Sequence, residues 1–188
     1  ENNGTIKVGN GTSLNNPSVA MFTTVNSIKL KNNGTISVGN NGIGIYGLDD
    51  IVSSGSITTG NNGIAIYGKN NITSTGKIVT GNDGFGIYGI DNITNKNSIT
   101  TGNNGVAIYG RNNITSIGNL TASNDGIGIY GGNTISSTGN ISTGANGIGI
   151  YAKNNITSVG NITAGVNSFG LYGENTISST GNITVGND

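Results

Sequence analysis

The phrase Gly42-Ile43-Gly44-Ile45-Tyr46-Gly47 decides the fold, because it returns 21 residues later as Gly63-Ile64-Ala65-Ile66-Tyr67-Gly68. All seven tyrosines of the chain fall on that series: Tyr46, Tyr67, Tyr88, Tyr109, Tyr130, Tyr151 and Tyr172. No insertion interrupts it. Two further columns keep the same step, Ile51, Ile72, Ile93, Ile114, Ile135, Ile156 and Ile177, and Ile57, Ile78, Ile99, Leu120, Ile141, Ile162 and Ile183. With the two aliphatic positions of the tyrosine phrase, each repeat offers an apolar face.

Apolar residues alternate with small or polar ones over three or four positions, and Gly or Asn then intervenes, which is the strand-and-turn pattern. Three short strands per 21-residue repeat follow. One repeat alone cannot cover its isoleucines, so the face leaves water only when repeats stack at the strand spacing of about 4.8 Å. The expected fold is all-β: a right-handed parallel β-helix of about eight coils, roughly 40 Å tall on that spacing. Strand parity, with Ile43 and Ile45 inward, predicts that Gly44 and Tyr46 face out. Glycine columns such as Gly60, Gly81 and Gly102 are expected to turn the corners with left-handed backbone angles. A column of Asn70, Asn112, Asn133, Asn154 and Asn175, shared with Asp49 and Asp91, is expected to form a hydrogen-bonded ladder.

Residues 1–33 read as a first, irregular coil with a loop inserted at about 10–18, and residues 34–188 as regular coils. The repeat stops in mid-coil at Asp188 without a polar cap, which suggests a fragment of a longer protein.

Charge narrows the function. Eight basic residues balance eight acidic ones, so the chain lacks the positive field that nucleic-acid phosphates or anionic membranes attract. No apolar run approaches the roughly 18 residues of a membrane span. There is no cysteine and no histidine, which removes thiolate ligands and the commonest general base. The acids Asp49 and Asp91, like Asp83 and Asp125, share columns but lie two coils apart, roughly 10 Å on the strand spacing. No catalytic residue, metal or cofactor is expected, and an enzyme is not.

Two surfaces are candidates for contact with a partner. The seven tyrosines, Tyr46 through Tyr172, form an outward ladder whose amphipathic rings suit a protein or sugar surface. The loop Thr12, Ser13, Leu14, Asn15, Asn16 and Pro17 projects from the first coil, and loops on solenoids often carry recognition. Lys69, Arg111 and Lys153 occupy one column in alternate coils, a spacing that keeps like charges about one screening length apart.

The combination of Gly-Ile-Gly-Ile-Tyr-Gly with Lys-Asn-Asn-Ile-Thr-Ser and an Asn-Gly corner resembles the passenger repeats of large type V autotransporter adhesins of Gram-negative anaerobes. The resemblance covers residues 34–188. It implies a β-helical stalk held at the cell surface by an outer-membrane barrel outside this sequence, with a host-cell or bacterial surface protein or glycan as partner. A spacer without a ligand of its own is the alternative; ice-binding and polysaccharide-degrading solenoids are further ones.

Overall fold

The computed structural model describes residues 1–187. The described residues form a parallel β-solenoid without a helix, built of three sheets of nine, eight and eight strands. One coil contributes one strand to each: Gly42–Gly47 to the tyrosine sheet, Ile51–Ser53 to the serine sheet and Ile57–Thr59 to the threonine sheet. Each residue pairs with its equivalent in the next coil, as in Tyr88 with Tyr109 and Ile93 with Ile114. A parallel ladder needs a return path for every strand, and the other two sides of the coil supply it.

The core is three stacked columns of isoleucine. Ile45, Ile66, Ile87, Ile108, Ile129 and Ile150 are fully buried, as are most members of the Ile51 and Ile57 columns. Met21 and Leu30 continue two of these columns into the first coil. A buried isoleucine contributes about 1.5–3 kcal/mol, and each coil repeats the gain three times. Small polar residues finish the interior: Ser53, Ser74, Ser116, Ser137 and Ser158 point inward from one sheet, and Thr59, Thr80, Thr101 and Thr143 from another. These side chains fill the corners that an isoleucine would overpack.

The corners are not made as the glycine columns suggested. No glycine has a positive φ; Asn41, Asn62, Asp83, Asn104, Asp125, Asn146 and Asn167 do, at 52–57°. Asn and Asp enter that region at lower cost than other side-chain-bearing residues. Gly60, Gly81 and Gly102 serve close approach between coils instead. A Cβ at Gly60 would stand 2.7 Å from the backbone nitrogen of Asn40 and run into its side-chain oxygen. That oxygen accepts the Asn61 N–H at 2.9 Å, one rung of an asparagine ladder that also includes Asn82 and Asn103.

The first coil is longer by nine residues, since Ile6 pairs with Ile36 while Leu30 already pairs with Ile51 in the regular register. Most of the excess lies before Ser18, which pairs with Gly42.

Candidate functional site

The tyrosine sheet carries the most distinctive surface. Successive rings from Tyr46 to Tyr172 lie 4.6–5.2 Å apart, with planes within 16° of parallel. Phe22 extends the row at 5.3 Å from Tyr46, tilted by 37°. In-register pairing fixes the distance, because equivalent Cα atoms follow the ladder spacing and the rings stack with it. The stack covers the ring faces. What reaches solvent along the row is ring edges and phenol hydroxyls, so a sugar cannot lie on an aromatic face except at an end.

The lane beside the tyrosines differs from the parity expectation. Gly44 and its equivalents face the interior: Ala65 and Ala107 in that column are fully buried. A Cβ at Gly44 would stand 2.5 Å from Ala65 O and 2.8 Å from Ile57 Cγ2. The two consecutive buried residues, Gly44 and Ile45, break simple alternation and turn Ile43 outward. Ile43, Ile64, Phe85, Val106, Ile127 and Ile148 are accordingly half-buried, and Phe169 is 58% exposed. Phe85 packs edge-on against Tyr88 and Tyr109, at 5.7 and 6.4 Å between centroids. Farther along, Ile148, Tyr151, Phe169 and Tyr172 line an apolar hollow of about 210 Å³. This aliphatic lane was missed from the sequence; the signal available was that its neighbouring column holds only Gly or Ala.

Two hydroxyls of the ladder are held away from ordinary acidity. Burial pushes the Tyr67 phenol up, helped by Tyr46 and Tyr88 on either side. Tyr151 donates to Glu174 Oε1 at 2.6 Å, and that bond, with the carboxylate's charge, pushes its pKa up to about 12.

The loop is brought close to the same sheet but not to the ladder. Thr12 N–H donates to Asn16 O at 3.2 Å and Asn16 N–H to Ser13 O at 3.1 Å, a tight excursion that leaves Leu14 65% exposed. Asn16 Nδ2 also donates to Thr12 Oγ1 at 3.0 Å, and Asn15 is exposed at the tip. Pro17 leads into the strand Ser18–Phe22 at its start, whereas Phe22 joins the aromatic row at its end.

The acids are taken up by asparagine ladders. Asp49 and Asp91 accept from Asn70 and Asn112 at 3.1 and 2.8 Å, and Asp83 and Asp125 from Asn104 and Asn146 at 3.1 Å each. Asn133, Asn154 and Asn175 continue the first ladder at 2.9–3.3 Å. Among the described residues no three of His, Cys, Asp or Glu converge as metal ligands would.

In the comparisons with known proteins, no family model, no curated protein and no solved structure matches this chain.

Proposed function

We propose that this chain is a stalk segment of a surface adhesin of the autotransporter kind, held outside the cell and offering its tyrosine sheet to a partner surface. The observation that carries the reading is the continuous strip of seven stacked tyrosines beside a half-exposed aliphatic lane. Six strand spacings make the strip roughly 30 Å long. Scattered apolar residues are ordinary on a surface, but a contiguous lane with polar tips along one edge is the composition of a contact surface. Tyrosine suits this use because it brings contact area with little entropy to lose. The rigid, in-register stack keeps the strip straight, and the balanced charge leaves no field that would draw the stalk to nucleic acid.

A ligand-free spacer is the second reading, favoured by the ring stacking itself, which stabilises neighbouring coils whether or not anything binds. Antibody labelling of intact source cells, followed by retention of the purified chain on host or bacterial cells, tests both. Surface labelling with retention that is lost in a Tyr46→Ser, Tyr67→Ser, Tyr88→Ser variant supports the adhesin. Surface labelling without retention leaves the spacer, and antigen confined to the cytoplasm overturns both readings.

A further inference from the structure

The column two residues beyond the tyrosines runs Leu48, Lys69, Ile90, Arg111, Gly132, Lys153 and Glu174. Between Lys69 and Arg111 stands the Ile90 side chain. Between Arg111 and Lys153 stands Gly132, and there a cavity of about 410 Å³ opens, lined by Tyr109, Gly110, Arg111, Tyr130, Gly132 and Lys153. The two cations stand just past the ends of strands two coils apart, roughly 10 Å. An anion seated over Gly132 lies between them.

Neither cation has an ion-pair partner among the described residues. Both are exposed, and the ion pairs among the described residues are Lys29 with Asp50 and Lys31 with Glu1. The adjoining column holds Asn112, Asn133 and Asn154 at these coils. The nearest acids keep their charge, Asp91 accepting from Asn112 and Glu174, one coil beyond Lys153 in the same column, from the Tyr151 hydroxyl, but neither is in an ion pair with Arg111 or Lys153. The rim adds the hydroxyls of Tyr109 and Tyr130, which bond no protein group among the described residues.

We propose that this saddle binds the carboxylate of an acidic sugar, a uronic acid or a sugar of like charge, as a subsite of the contact strip; the inference rests on the adhesin reading. An arginine and a lysine supply charge-assisted donors to the carboxylate, and the phenol hydroxyls meet the hydroxyls that surround it on a sugar ring. The ring sits in the notch against tyrosine edges, since the ring faces are covered. A sugar fits better than an acidic peptide for a structural reason. The strands bearing Tyr109 and Tyr130 are paired on both sides within the stack, so no backbone edge is open for a peptide strand to join.

Calorimetric titration of the intact chain at low salt with sodium glucuronate, with its uncharged methyl ester and with a hexaglutamate peptide tests the assignment. Glucuronate is expected to bind, and more weakly as salt is raised. R111Q and K153Q are each expected to weaken it by about fivefold, the size of an exposed ion pair. Both positions are exposed, so an unchanged circular-dichroism melt accompanies the loss. Equal binding of the ester, wild-type affinity in the R111Q/K153Q double variant, or preference for hexaglutamate would overturn the proposal. Cell retention separates the two ideas: a chain that stays on cells but ignores glucuronate sinks the saddle alone, and one that binds glucuronate yet is absent from cell surfaces sinks the adhesin reading alone.

Discussion

Tyr151 donates its phenol proton to the Glu174 carboxylate at 2.6 Å, across one coil boundary, and so locks the outer end of the ladder to the column beside it. The bond requires the phenol to stay protonated, and Tyr151 is accordingly pushed up to about 12. Because the folded value lies above the unfolded one near 10, the stabilisation is complete below pH 10 and is lost as pH rises through about 12. Ultraviolet titration of phenolate absorbance should include a tyrosine that ionises near 12, and Glu174→Gln should move that step earlier by removing the charge. An unchanged titration in that variant would contradict the assignment.

The inward direction of the Gly44 column predicts intolerance where an outward lane would tolerate change. At Gly128 a Cβ would stand 2.5 Å from both Gly149 O and Ile141 Cγ2. Gly128→Val is expected to cost about 1–3 kcal/mol or more by overpacking, read as a lower denaturation midpoint. A variant as stable as the parent would restore the outward reading.

At the corners, Asn104 combines φ 55° with an Nδ2 bond to Asp83 at 3.1 Å. Asn104→Ala is expected to lose about 1–2 kcal/mol, because alanine has a Cβ and no local hydrogen bond to offset the left-handed backbone. Asn104→Gly loses the same hydrogen bond but is free of the Cβ penalty, so it should lose less than Asn104→Ala. Thermal melts of the pair decide it: equal losses would mean that backbone strain plays no part.

Ile108 is fully buried in the middle of the stack. Ile108→Ala is expected to destabilise by about 2–5 kcal/mol, leaving a cavity that paired neighbours cannot close. Since each coil touches only the next, hydrogen exchange should rise most in that coil and its two neighbours. Uniform loss of protection along the chain would instead indicate one all-or-none unit.

The 21-residue step made the architecture readable from spacing along the chain alone. A repeat with isoleucines at fixed columns has one economical way to bury them, and the tyrosine spacing, the paired register and the long first coil all follow from that count. The candidate strip was half readable: the tyrosines were placed, but their neighbours were not, because parity assumes an unbroken pleat. Gly44 and Ile45 both turn inward, and no periodicity announces such a break. The loop from Thr12 to Pro17 was visible as surplus length, while its distance from the ladder depended on which end of the strand it entered.

What the sequence determined by itself is the stack: its period, its columns and the chemistry each column repeats, since these are set by spacing along the chain. What only the tertiary structure decided is direction and company. Left-handed angles fell to asparagine and aspartate, whereas glycine stands where coils touch. Ring faces closed on one another because pairing holds them about 5 Å apart, and the cavity beside Gly132 exists because two cations two coils apart enclose a residue without a side chain. Each of these depends on distances between coils, which no reading of a single coil contains.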